Sequence, residues 1–185
     1  IFFGLWIMDM NLTTLAEEAW FIDLLGGLNN SPWLGLLIGT LVTAVLQSSS
    51  ATVGIVILLA SQGLLELPIC FYIILGCNMG SCVSALLASL GGKKNAKRAA
   101  YIHFLINIFG SAAIVAVLAI FLPQVEAFIL SLTGSQNLTG AALNAAMAKN
   151  VANAHTIFKV FQIAICYPFA KYIVNPSKSS TRSKE

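Results

Sequence analysis

Two apolar runs flank a short polar cluster about a quarter of the way along the chain. Residues 32–46 and 53–60 are almost wholly apolar, whereas five of the six side chains at 47–52 are polar. As a helix, the first run is only about 22 Å long, against about 30 Å of bilayer hydrocarbon. The pattern therefore predicts a re-entrant helical hairpin at 32–62 with the polar cluster at its tip. A loop at the membrane surface is the alternative.

A second apolar stretch, 66–90, is interrupted by Gly76-Cys77-Asn78-Met79-Gly80-Ser81. Two glycines and an asparagine weaken a helix, so we predict a discontinuous transmembrane helix with unwound backbone at 76–81. Such backbone persists in lipid only where protein or a water-filled cavity satisfies its polar groups. A continuous span that packs its glycines against small residues is the alternative.

The remaining apolar stretches predict about three full spans. The first lies ahead of Gly26 and has an acidic far end. Asp9, near its middle, is either a cation-site carboxylate or a side chain that faces lipid headgroups or a neighbouring helix. The second span, 99–122, is expected to end at Pro123, and the third covers 150–174.

Composition and charge place these elements in a membrane. Hydrophobic residues make up 58% of the chain, charged residues 9%, and the mean hydropathy is +0.86, which is far more apolar than a soluble domain. The net charge of +3 comes largely from basic residues at 91–98 and in the tail, so it reports topology rather than nucleic-acid binding. The positive-inside rule puts this loop and the tail in the cytoplasm of a multi-pass protein of the plasma (inner) membrane.

The expected organisation is an all-α membrane protein with one domain. Residues 1–174 form the membrane repeat, and 175–185 form a disordered basic tail. Because the chain opens inside an apolar run, we expect it to be part of a longer polypeptide. The four cysteines lie in apolar segments without CxxC spacing, so neither a metal site nor a disulfide is predicted.

The two predicted breaks share a chemistry. Each half-helix that begins at a break directs its N-terminal N–H groups into it, which favours an anion without any buried Lys or Arg. Hydroxyl and amide oxygens at the same places are hard ligands that suit Na⁺. The candidate substrate- and ion-binding residues are Gln47, Ser48, Ser49, Ser50, Thr52, Asn78, Ser81 and Ser84.

Several segments closely resemble one repeat of the type II sodium/phosphate cotransporters, namely 39–52, 76–81, 88–90, 96–100 and, more weakly, 154–158. A Gln-Ser-Ser-Ser hairpin followed by Gly-x-Asn-x-Gly at this spacing is specific to that family. Its members carry two inverted repeats that bind Na⁺ and phosphate between them. The resemblance is to the second repeat, which implies a partner repeat, either upstream or in another copy.

The chain departs from the family pattern at four positions. Ser81, Cys82 and Ser84 stand where threonines are usual; Cys82 lacks a hydroxyl and is left out of the candidate site. Lys159 stands where an asparagine is usual. The resemblance implies Na⁺ binding at Gln47, Ser49, Ser81 and Ser84.

The resemblance implies sodium-coupled import of inorganic phosphate by alternating access, with this chain as one half of the transporter. Na⁺ is the coupling ion, and no cofactor is expected. A non-transporting membrane sensor or an accessory subunit of phosphate uptake is the alternative. An enzyme is not predicted, because no acidic residue is placed to orient His103 or His155 toward a nucleophile such as Ser49.

Overall fold

Helices make up every regular element in the part of the chain that the structure describes. The structure, a computed structural model, describes residues 2–15 and 17–174. The predicted all-α fold is confirmed, and the predicted tail at 175–185 lies outside the described residues. The helices are α1 (Phe2–Leu15), α2 (Ala19–Asn29), α3 (Pro32–Leu46), α4 (Ser49–Ser61), α5 (Leu67–Gly80), α6 (Cys82–Ser89), α7 (Lys94–Thr133) and α8 (Gly140–Val174).

The central helix is α5. It is apolar on all sides, and nearly all of its residues are buried, as expected for a helix without a polar face. It packs against α3, α4, α7 and α8. Phe71 lies at the centre of this core, edge-on to Phe158 of α8 with ring centroids 5.4 Å apart.

Glycines let α3 and α5 approach to backbone contact. A Cβ atom at Gly39 of α3 would collide with the carbonyl oxygen of Ile73, and one at Gly76 of α5 would collide with that of Leu36. Gly80 meets the opposing backbone in the same way one turn later. Small residues four apart on both helices are a typical means of close packing between membrane helices.

The predicted unwound backbone at 76–81 is wrong. The break is confined to Ser81, whose φ of −62° and ψ of −20° are helical, and its N–H still bonds to the Cys77 carbonyl at 3.0 Å. Residues 67–89 therefore run as a nearly continuous stretch, long and apolar enough to cross a membrane. The glycines remain helical because close contact with α3 stabilises them there.

A helical hairpin is present where it was predicted. Its arms, α3 and α4, contain 15 and 13 residues, or about 22 and 20 Å of helix. Pro32 occupies the first turn of α3, where its missing N–H costs nothing. The arms are joined by a buried hydrogen bond, 3.0 Å long, from the Thr43 hydroxyl to the Thr52 hydroxyl.

The N-terminal region differs from its prediction. Two helices of 14 and 11 residues stand where one was expected. The backbone of Glu18 is extended, with φ of −79° and ψ of 121°, and this residue caps the second helix. That helix continues through Gly26, so the first break comes at the acidic residues rather than at the glycines.

Helix α7 is kinked just before Pro123, where a span was predicted to end. The backbone of Phe121 is non-helical, with φ of −120° and ψ of 23°, and a further helical stretch follows to Thr133. The end of the membrane span at this point stays a prediction. A proline removes one hydrogen bond and crowds the preceding turn, which bends a helix without necessarily ending it. Residues 94–133 and 67–89 are the two helices in the described residues that are long and apolar enough to cross a membrane.

Candidate functional site

The turn between the hairpin arms is strained at Gln47. Its φ of 52° and ψ of 25° are left-handed, and in the described residues it is the only residue other than glycine with a positive φ. Its N–H bonds to the Thr43 carbonyl at 2.8 Å and closes α3. A residue with a side chain pays about 1–2 kcal/mol to hold this conformation. Such a strained polar residue is a reason to test for function.

The three serines after Gln47 build the start of α4. Ser48 caps the helix, since its Oγ accepts a hydrogen bond from the N–H of Ala51 at 3.3 Å. Its Oγ also lies 3.2 Å from that of Ser50. Gln47 and Ser50 are exposed, whereas Ser48 and Ser49 are half-buried. The tip therefore presents hydroxyls beside the first N–H groups of a helix, which carry the positive end of its dipole.

Thr52 plays a structural part in this turn. Its hydroxyl donates to the Ser48 carbonyl at 3.2 Å and accepts from Thr43 at 3.0 Å, and its side chain is buried. The hydroxyl proton is already used, so Thr52 has only a lone pair to offer a ligand.

The candidate hydroxyls after the central helix also donate to the backbone. Ser81 Oγ donates to the Asn78 carbonyl at 2.8 Å, and Ser84 Oγ donates to the Ser81 carbonyl at 3.1 Å. Both side chains are half-buried. With their protons engaged, both oxygens act toward a ligand as acceptors, which is what a cation requires.

Asn78 is buried and only partly satisfied. It is 1% exposed, and its Nδ2 donates to Gln162 Oε1 at 3.5 Å. Its Oδ1 is buried and accepts no hydrogen bond from the described residues. A buried acceptor without a partner costs about 1–3 kcal/mol, so this oxygen is the strongest indication of a ligand in the helix.

The hairpin and the central helix meet just below the tip. Gly80 lies against the Thr43 side chain, and Thr43 is bonded to Thr52. In the described residues, however, no hydrogen bond joins Gln47 or Ser49 directly to Ser81 or Ser84. The two groups of candidates are thus linked through Thr43 and not through their own side chains.

Three residues near Asn78 were not predicted to belong to the site. Gln162 and Asn107 are each 5% exposed and are hydrogen-bonded to one another at 3.1 Å. Lys159 is half-buried on α8, within electrostatic reach of the thiols of Cys77 and Cys82. The sequence feature that could have identified them is that they are polar residues inside apolar runs. Burying such side chains in a membrane costs free energy, so they are often functional.

In the described residues, no group of three or more His, Cys, Asp or Glu side chains is placed to hold a metal ion. The thiols of Cys70, Cys77, Cys82 and Cys166 are all free. The side chain of Asp9 lies outside what the structure describes.

Comparison with known proteins links this geometry to a family. A family model described as Na⁺/Pi-cotransporter matches residues 1–134. The chain is 37% identical over 103 residues to the uncharacterized protein YqeW of Bacillus subtilis (strain 168), covering 56% of this chain and 33% of that protein. It is 30% identical over 155 residues to sodium-dependent phosphate transport protein 2B of Pongo abelii, covering 80% of this chain and 20% of that protein.

A third relative matches over a shorter region. Sodium-dependent phosphate transport protein 2A of Ovis aries is 41% identical over 61 residues, which cover 33% of this chain and 10% of that protein. The chain thus spans a third or less of the length of each of these relatives. No solved structure matches the chain. Since the matched residues 1–134 include the hairpin, the central helix and most of α7, the chain belongs to the Na⁺/Pi-cotransporter family.

Proposed function

We propose that this chain is one half of a transporter that imports inorganic phosphate together with Na⁺ by alternating access. The observation that carries the proposal is the strained hairpin tip, in which Gln47 and three serines stand at the start of α4. The central helix adds a buried oxygen of Asn78 that has no partner among the described residues. The relatives named as sodium-dependent phosphate transport proteins supply the two ions.

The hairpin tip supplies the anion half of the proposed site. The N–H groups at the start of α4 and the hydroxyls of Ser48, Ser49 and Ser50 are the donors that a phosphate oxygen prefers. Neither α3 nor α4 contains Lys or Arg. Within the hairpin, the positive potential therefore comes from the helix dipole, and a nearby coupling cation adds to it.

The central helix supplies the cation half. Asn78 Oδ1 and the hydroxyl oxygens of Ser81 and Ser84 are hard, neutral acceptors, which suit Na⁺. Gln47 and Ser49 at the hairpin tip are the remaining proposed ligands. A cation next to a phosphate lowers the cost of burying either charge, which couples the binding of one ion to the other.

The second half of the transporter covers the tip. The outward side of α3 is apolar and exposed at Leu37, Leu41 and Val45, and the polar tip lies at its end. Both arms are shorter than the hydrocarbon layer, so we place the hairpin as a re-entrant element in a multi-pass protein of the plasma (inner) membrane. The partner is an upstream repeat or another copy, with loop 91–98 and the tail on the cytoplasmic side.

Uptake by proteoliposomes tests the proposal. The full-length polypeptide is reconstituted, and uptake of labelled phosphate is compared under inward gradients of NaCl and KCl. We expect uptake with Na⁺ only, and its loss in Ser49→Ala and Gln47→Ala. Ser61→Ala is the matched control, because this serine only donates to the Leu58 carbonyl at the far end of α4.

Two results would contradict the proposal. Equal uptake in the two gradients would remove the sodium coupling. Phosphate binding without any flux would favour the alternative function, a non-transporting sensor or an accessory subunit of phosphate uptake.

A further inference from the structure

Three buried amide side chains form a chain of hydrogen bonds across α5, α8 and α7. Asn78 Nδ2 donates to Gln162 Oε1 at 3.5 Å, and Gln162 Nε2 donates to Asn107 Oδ1 at 3.1 Å. Their exposed fractions are 1%, 5% and 5%. We call these three residues the amide relay. They are contributed by three different helices, so their meeting is a property of the fold.

Two backbone carbonyls fix the direction of the relay. Asn107 Nδ2 donates to the His103 carbonyl at 3.0 Å, so the oxygen of Asn107 must face Gln162. Gln162 Nε2 also donates to the Ile106 carbonyl at 3.4 Å, so the oxygen of Gln162 must face Asn78. A backbone carbonyl only accepts hydrogen bonds, so neither amide can be turned around without losing one.

The direction of the relay decides which atom Asn78 presents elsewhere. The Gln162 side chain faces Asn78 with its oxygen, an acceptor, so Asn78 must face Gln162 with its donor, Nδ2. Turning the Asn78 amide around would set two oxygens against each other in a buried site. The Asn78 oxygen is therefore held away from the relay, where no described group donates to it.

We propose that Gln162 is a positioning residue that holds the oxygen of Asn78 toward a bound cation. The chemical class of the ligand is a small hard cation such as Na⁺, since a neutral amide oxygen suits such an ion. This inference rests on the proposed function for the identity of the ion. The orientation of Asn78 follows from the described hydrogen bonds alone.

Replacing Gln162 by leucine tests the role of the relay. Gln162→Leu removes the hydrogen bond that favours the productive orientation of Asn78, so the amide can turn its donor Nδ2 toward the cation unless Na⁺ binding turns it back. We expect the Na⁺ concentration for half-maximal phosphate uptake to rise about tenfold, the equivalent of one hydrogen bond of about 1.4 kcal/mol. The maximal rate changes less than the half-saturating concentration.

A control separates positioning from a general loss of packing. Ser111→Ala removes another buried hydroxyl from the contact between α7 and α5, where Ser111 lies 3.5 Å from the Leu75 carbonyl. It lies outside the relay, so its half-saturating Na⁺ concentration should equal that of the wild type. A tenfold rise in both variants would show that any disturbance of this contact weakens Na⁺ binding, and the inference would be overturned.

A double variant tests whether Gln162 acts through Asn78. Once Asn78→Ala has removed the oxygen, Gln162→Leu has nothing left to orient. We therefore expect the double variant to need no more Na⁺ than Asn78→Ala alone. Additive effects would mean that Gln162 acts on the cation independently and would overturn the inference. If Gln162→Leu does not fold, Asn107→Ala offers the same test one link further along the relay.

A second readout does not depend on transport. The rise in melting temperature caused by NaCl, relative to choline chloride, reports Na⁺ binding to the folded protein. We expect this rise in the wild type and in Ser111→Ala, and we expect it to shrink in Gln162→Leu.

The two readouts distinguish the possible failures. A sodium-dependent rise in melting temperature without phosphate uptake overturns the proposed function and leaves the inference standing. Sodium-driven uptake whose Na⁺ dependence is unchanged in Gln162→Leu overturns the inference alone.

Discussion

At the residue scale, the proposed site consists of polar side chains whose hydrogen bonds to the backbone or to another side chain leave an oxygen without a donor. The hydroxyls of Ser81 and Ser84 donate to backbone carbonyls, and the side-chain nitrogen of Asn78 donates to Gln162. Each therefore offers an oxygen. Carbonyl acceptors are abundant near helix turns, so short polar side chains in helices are readily set as acceptors.

Sequence could identify part of this set. Gln47 and Asn78 stand out as polar residues in apolar runs, and that signal is local. Gln162 carries the same signal, but its meaning comes from partners 55 and 84 positions away. No periodicity along one helix reveals which amide of another helix it meets, so the relay becomes visible only in the folded chain.

Replacing Gln47 by glycine separates the strain at the tip from its function. Glycine adopts the left-handed conformation freely, so Gln47→Gly should stabilise the protein by a net amount of about 0.5–1 kcal/mol. Phosphate uptake should fall sharply, because the proposed ligand is lost. Melting temperature in detergent and proteoliposome uptake are the measurements.

The matched variant for this test is Gln47→Asn. Asparagine tolerates the left-handed region and keeps an amide, so it should retain more uptake than glycine does. Uptake by Gln47→Gly at the wild-type level would contradict a role for the Gln47 side chain.

At the element scale, the crossing of α3 and α5 explains why one prediction succeeded and another did not. The two short helices of the hairpin were predicted correctly from length and polarity, which the chain carries locally; the re-entrant placement of the hairpin stays a prediction. The glycines at 76 and 80 were interpreted as a break, although the structure uses them for backbone contact with α3. Glycine serves both purposes, and sequence alone does not show which partner a helix has.

Alanine at Gly76 tests the crossing. The new methyl group would collide with the Leu36 carbonyl, which belongs to the backbone and cannot swing aside. We expect destabilisation of about 3 kcal/mol or loss of folded protein. Thermal unfolding in detergent measures this.

The control is the same substitution at Gly26, which lies in α2 with nothing within 4 Å of its Cβ position. There alanine should stabilise the helix by about 0.5–1 kcal/mol. Similar destabilisation at both sites would mean that helical glycines, and not the crossing, set the result.

At the scale of the whole molecule, α7 decides the topology. Its 40 residues run from the basic segment 93–98, most of which forms the start of the helix, to the loop at 134–139. If α7 crosses the bilayer once, its two ends must face opposite sides. The positive-inside rule then predicts that the basic end is cytoplasmic.

Cysteine labelling checks this topology. Lys97→Cys and Gln136→Cys place thiols at exposed positions on either side of the apolar part of α7. In intact cells, a membrane-impermeant thiol reagent should label Gln136→Cys and leave Lys97→Cys unlabelled until the cells are opened. The wild type, whose cysteines are buried or half-buried, supplies the background. Labelling of both variants from outside would contradict a single crossing.

The contact between α3 and α5 also limits how the protein can move. The backbones of the two helices touch directly at the glycines, with no side chains between them that could change rotamer. One helix therefore cannot easily slide along the other. We therefore expect α3 and α5 to move together as one rigid body. In the proposed transporter, the movement that exposes the ions to one side of the membrane or the other would therefore take place at the outer boundary of that rigid body.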